Sequence, residues 1–195
     1  MFLQAVSFYF CQKNRKMNWY IETVKAYPII TAMIQFAILG TLGDTIAKWI
    51  IKGKIFIPYD LRTLFLKMAE WALLAVFIKF AFVGFHGFVD GLISHGMLPE
   101  LNKYSYAFAI SATMNLQFGP FLVIMHRLLD NIIAKQRNWS NINKGMLSLL
   151  WFWIPAHTIT FVLDKPFQIG LAAVWSVVLG IILGFYNKGN LERNA

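Results

Sequence analysis

Long apolar stretches alternate with short polar breaks along the chain. The two clearest are 145–163 and 167–187, neither of which contains Asp, Glu, Lys or Arg; only Asp164, Lys165 and Pro166 separate them. A helix rises about 1.5 Å per residue, so roughly 20 apolar residues cross a hydrocarbon core. Both stretches are long enough. Pro166 suits the first turn of the second helix, where its missing N–H costs nothing. The pattern predicts a transmembrane hairpin.

Three earlier stretches extend the same reading. The first covers 26–51 and is interrupted by Asp44. The second, 63–94, is long and unusually polar, with Lys67, Glu70, Lys79, His86 and Asp90 inside it. The third, 104–125, contains Asn115, Gln117 and Pro120. Gly53 with Pro58, and Gly96 with Pro99, supply the breaks between them, and a polar connector is expected over 127–144. Residues 1–17 are too short an apolar run to span and suit an interfacial segment. The expectation is one all-α membrane domain over residues 1–195, a multi-pass transmembrane helical bundle of four or five spans.

Composition agrees. The chain is 58% hydrophobic and only 14% charged, whereas a soluble domain carries about 25% charge. A net charge of +9 would suggest nucleic acid in a soluble protein. Here the basic residues flank the spans, so anionic lipid headgroups are the expected partner and nucleic acid is not. With five spans, Lys48, Lys52, Lys54 and Arg62 share a side with Arg127, Lys135, Arg137 and Lys144, which points to the cytoplasmic or matrix face. Lys13, Arg15, Lys16 and Lys25 fall on the opposite side, against the rule. The apolar start precedes that basic cluster, the reverse of a cleavable secretory signal. Cys11 is the one cysteine, which excludes an internal disulfide and a thiolate zinc site. No HExxH, GxSxG, P-loop or Rossmann pattern occurs, so no enzyme, catalytic residue, metal or cofactor is expected.

Charged groups at bilayer depth are expensive and normally face a bundle interior or water. At about 100° per residue, His86 and Asp90 fall within about 20° of Lys79, making one polar stripe. Gly84, Gly87 and Gly91 lie on a neighbouring face that would admit another helix. One reading is a helix lining a hydrophilic path; the other is a set of polar contacts near the headgroups. Lys67 and Glu70, at i and i+3, read as an interfacial ion pair or as further lining. Asp44, beside Gly40 and Gly43, stands four residues before Lys48, the favourable order for a helical ion pair; a pore or binding role is the alternative. Pro120 leaves the Leu116 carbonyl without its usual donor, and Asn115 and Gln117 lie at that level. Pro155 with His157, Thr158 and Thr160 repeats the theme. Such points line cavities in transporters or are kinks repaired by a neighbouring helix.

Several of these residues resemble the Mpv17/PMP22 family of small membrane proteins. Trp19-Tyr20, Tyr27-Pro28 and Gly43-Asp44 are similar to its W–Y…P…GD start, and Asp60-Leu61-Arg62 to its D-x-R linker. Gly84 to Asp90, with His86 inside, resembles the family's GPxxHxWYxxLD segment without its Pro and WY. Asn115 and Phe118-Gly119-Pro120 resemble DQ…FAP with Met114 at the acid, while Trp153, Pro155, His157 and Phe161 resemble WPxxQxxNF with Thr160 at the Asn. The order of these elements covers nearly the whole chain. The resemblance implies a multi-pass helical protein, usually of four spans, in the mitochondrial inner membrane or peroxisome, with some members forming non-selective channels; in a prokaryote the cytoplasmic membrane is expected instead.

The expected function is a weakly selective channel or pore for small solutes or ions, lined by Asp44, Lys79, His86, Asp90, Asn115, Gln117 and His157. The alternatives are a non-conducting assembly protein that binds partner helices through its glycine faces, a second copy of itself included, and a small-solute carrier subunit.

Overall fold

The computed structural model describes residues 18–140 and 142–193, which form helices and no strand. The expected interfacial segment 1–17 lies outside them. A short helix, α1 (18–26), leads into α2 (Pro28–Lys52), which starts on Pro28 and ends at Gly53. Gly53 has a φ of 66°, a left-handed conformation that a residue with a side chain adopts only under strain. Helix α3 (Leu61–Ser94) is capped by Asp60, whose carboxylate accepts the Thr63 N–H at 3.1 Å. At 34 residues it is a rod about 51 Å long, against a hydrocarbon core of about 30 Å.

Helix α4 (Lys103–Gln117) begins at Asn102, whose side chain accepts the N–H groups of Tyr104 and Ser105 at 3.0 Å each. Helix α5 (Gly119–Ile133) follows after a bend of 48°. The span expected over 104–125, with its break at Pro120, is this bent pair. Pro120 has no N–H for the ladder and its ring crowds the carbonyl four residues back. The expected connector over 127–144 is mostly helix too: Leu128, Leu129, Ile132 and Ile133 continue the apolar pattern of α5 to Ile133. Helix α6 (Ile142–Ser148), a π-helical turn (Leu149–Trp153) and α7 (Ile154–Val162) then run on as one 21-residue stretch. The wide turn sits just before Pro155, where the ladder again loses a donor. Helix α8 (Lys165–Arg193) closes the fold.

Among the described residues four helical stretches are long and apolar enough to cross a membrane, five if the bent α4–α5 pair counts as one. Only 33–39% of the most apolar window of each of the four is buried inside the protein, so most of that surface faces outward. Ile30, Ile34 and Ile38 on α2, and Phe80 and Val83 on α3, are each more than half exposed. An apolar surface this extensive suits lipid rather than water.

Helix α2 is wedged between α3 and α8, and α4 lies along α7. Glycine sets the α2–α8 approach. A Cβ on Gly43 would lie 2.7 Å from the Ser176 carbonyl oxygen, and one on Gly180 would lie 2.5 Å from that of Gly43. The glycines of α3 make no such seam: nothing lies within 4 Å of a Cβ at Gly84, Gly87 or Gly91, so no described helix approaches there. The core between the helices is filled by Phe36, Leu74, Ile78, Val89, Ile110 and Ile169.

Candidate functional site

The densest chemistry lies near the Asp60 end of α3, where α2, α3 and α5 converge. Lys67 and Glu70 are 7% and 3% exposed, and at i and i+3 they share a helix face. The Lys67 ammonium donates to Glu70 Oε2 at 2.9 Å and to Asp130 Oδ1, and lies 3.7 Å from Asp44 Oδ2. The other Glu70 oxygen, Oε1, meets His126 Nδ1 at 2.7 Å. Trp71 ties the group together: its Nε1–H donates to Asp44 Oδ2 at 3.1 Å, and its ring packs on His126 with centroids 4.7 Å apart. The i and i+3 ion pair read from the sequence forms and is one link of this larger network. The Asp44–Lys48 pair does not. Asp44 turns to Lys67 and Trp71, and the Lys48 ammonium sits 3.9 Å above the Tyr59 ring. That ring is polarised to attract a cation, and the site is less costly than a second buried ion pair. The Tyr59 hydroxyl is buried with no hydrogen-bond partner among the described residues. Burial pushes its pKa up, and the Asp44 and Glu70 carboxylates push it further.

A second, neutral group lies about 18 Å further along α3, twelve residues on from Glu70, at the level of Phe82. His157 is buried, with Nδ1 at 3.1 Å from Asn115 Nδ2. Its ring stacks on Trp153 at 4.9 Å and meets the edge of Phe82 at 5.6 Å. Asn115 also donates to the Ser111 carbonyl at 2.8 Å, and the Ser111 hydroxyl donates to the Ile154 carbonyl at 2.7 Å, close to the break that Pro155 makes. A third group sits beyond it. The Tyr106 hydroxyl donates to Asp90 Oδ1 at 2.6 Å and lies 3.4 Å from His86 Nδ1, so a tyrosine of α4 joins the i and i+4 residues of α3.

The seven residues expected to line one path thus fall into separate places. Asp44 belongs to the charged cluster, Asn115 and His157 to the neutral pair, and His86 and Asp90 to the tyrosine link. Gln117 is exposed at the α4–α5 break. Lys79 is half-buried and makes no hydrogen bond or ion pair among the described residues. Between the first two groups α3 presents buried Leu74, Ala75 and Ile78. The positions that carry the resemblance are scattered over the fold. Phe161 packs on Phe82 at 4.8 Å, Asp60 caps α3, and Trp19, Pro28, Arg62, Gly84 and Pro155 are exposed. His126 and Asp130 escaped the sequence reading because the charges around them looked like a connector; their i and i+4 spacing on an apolar-patterned helix was the available signal. Comparison with models of known protein families, with characterised proteins and with solved structures finds no match to this chain.

Proposed function

We propose that the chain is an integral membrane protein that works as a weakly selective channel for small solutes or ions, of the Mpv17/PMP22 type that its motifs resemble. A mitochondrial inner-membrane or peroxisomal address follows from the same resemblance. The single observation that carries the reading is the network of Lys67, Glu70, Asp44, Asp130 and His126. Ionisable groups at this depth are costly to keep and mark pathways, and groups of mixed sign favour weak over sharp selectivity. In this reading the conformation described is closed, with Leu74, Ala75, Ile78 and Phe82 as the apolar plug and Lys79 on the wall of the opened path. The open face at Gly84, Gly87 and Gly91 favours a second reading, a non-conducting assembly protein that seats a partner helix there.

Purified full-length protein in a planar bilayer separates the two. The channel reading expects discrete currents whose conductance changes in Lys79→Ala. It also expects Lys79→Cys, in a Cys11→Ser background, to react with a water-soluble thiol reagent. Silence from folded protein across voltage and pH, with an unreactive cysteine, removes the channel and leaves the assembly reading.

A further inference from the structure

Beyond the question of transport, the charged cluster carries the donor set of a metal site. Glu70, His126 and Asp130 each place one donor atom within 4.8 Å of the others. His126 and Asp130 lie one turn apart on α5, and Glu70 faces them from α3. Trp71 fixes the two helices at this point by packing on the His126 ring. Two carboxylates and one imidazole are ligands for a divalent transition metal such as Zn²⁺ or Mn²⁺. Bonds of about 2.1 Å hold the donors of one ion roughly 3–4 Å apart, so the set needs a contraction of about 1 Å, within the reach of side-chain rotation.

Charge points the same way. Three carboxylates, on Asp44, Glu70 and Asp130, stand within 4 Å of one ammonium, that of Lys67. Asp44, Glu70 and Asp130 carry three negative charges against the one positive charge of Lys67, and Lys48 is held over Tyr59. A divalent ion would offset the two carboxylate charges that Lys67 leaves uncompensated. Lys67 Nζ now bonds the two carboxylates the ion would take, yet Asp44 lies only 3.7 Å away and can receive it. The Asp44, Asp130 and His126 side chains are 27%, 28% and 30% exposed, so the donors are not sealed inside the bundle.

We propose that Glu70, His126 and Asp130 form a divalent transition-metal site in which Lys67 is the built-in competitor, moving to Asp44 when the ion binds. A bundle that conducts nothing would bind the ion equally well, so the inference stands apart from the channel reading.

The full-length protein in detergent is titrated with Zn²⁺ by calorimetry, as wild type, Asp130→Asn, His126→Gln and Lys67→Met. The expected result is one saturable site, weakened about ten-fold or more in Asp130→Asn and His126→Gln. Lys67→Met is the decisive variant: loss of the competing ammonium should tighten binding, and Zn²⁺ should raise its melting temperature more than that of wild type. A purely structural Lys67 would give only a destabilised protein indifferent to Zn²⁺. Absence of saturable binding in both wild type and Lys67→Met overturns the proposal, as does binding unaffected by the α5 substitutions. Should the variants fail to fold, wild type decides alone. One equivalent of bound Mn²⁺ should show imidazole nitrogen coupling in electron spin-echo spectra, and a spectrum without it removes His126 and the proposal together.

Discussion

At the Asp60 end of α3, Lys67 and Glu70 sit in a network whose links nearly all carry charge; twelve residues on, Phe82 packs against a hydrogen-bonded pair, Asn115 and His157, drawn from two neutral side chains. Lys67 and Glu70 are buried, as are Asn115 and His157, and both groups join helices distant in sequence. The neutral pair is complete in itself, because Asn115 spends its amide on Ser111 and His157, and Trp153 and Phe82 cover the ring. The charged network balances less well. It takes three helices to assemble, carries more carboxylates than cations, and has three side chains more than a quarter exposed. A buried hydrogen bond can be satisfied locally, whereas a buried charge recruits partners until the site can hold or exchange an ion. The neutral pair is packing; the charged one has the makings of a site.

Removal of Lys67 is the largest way to break that contrast. Lys67→Ala strands Glu70 beside two further carboxylates, and uncompensated buried charge costs about 3–5 kcal/mol. Water at the exposed sides of Asp44 and Asp130 should place the loss near the lower figure. Thermal or denaturant unfolding in detergent measures it. A loss under about 1 kcal/mol would mean that the network behaves like a solvated surface pair.

The neutral pair should give less. Interhelical hydrogen bonds between uncharged side chains in membrane proteins average about 0.6 kcal/mol and reach about 1.7. A double-mutant cycle of Asn115→Leu and His157→Leu should return a coupling in that range. A coupling as large as the loss in Lys67→Ala would erase the distinction between the two sites.

The same contrast explains what was legible in the sequence. Apolar length alone located the helices at 28–52 and 61–94 and the closing hairpin to within a few residues. Pro120 marked the break, because a missing N–H has the same consequence in any context. Spacing also paired Lys67 with Glu70, since i and i+3 residues share a face whatever surrounds them. Periodicity does not say which helix that face meets. For Asp44 it offers Lys48 on the same helix or a place on a path, whereas the partners are Lys67 and Trp71 of α3. Asp90 and His86 were seen as neighbours, but the Tyr106 hydroxyl that links them comes from α4. The Gly84, Gly87 and Gly91 face would admit another helix but meets none of the described ones, whereas the close seam runs through Gly43 and Gly180. Small residues permit an approach without requiring one.

Asp60 offers the gentlest test, a carboxylate of the same helix that is fully exposed. Hydrogen bonds from Thr63, through its hydroxyl and its backbone N–H, hold the Asp60 carboxyl below its usual 3.8. A folded-state pKa lower than the unfolded one contributes stability that is present above pH about 4 and lost as pH falls through the folded value. Asp60→Asn keeps an acceptor for the cap and removes only the charge. The variant should melt slightly below wild type at pH 7, and the gap should close as pH falls through the lowered folded-state value, once the wild-type carboxyl is protonated in both states. Salt should shrink the gap as well, because an exposed charge at a helix N-terminus is screened. The loss in Lys67→Ala, whose charges are mostly withdrawn from water, should respond far less to salt. If both variants respond alike, depth has not separated the carboxylates of this bundle, and the cluster around Lys67 is as wet as the cap of α3.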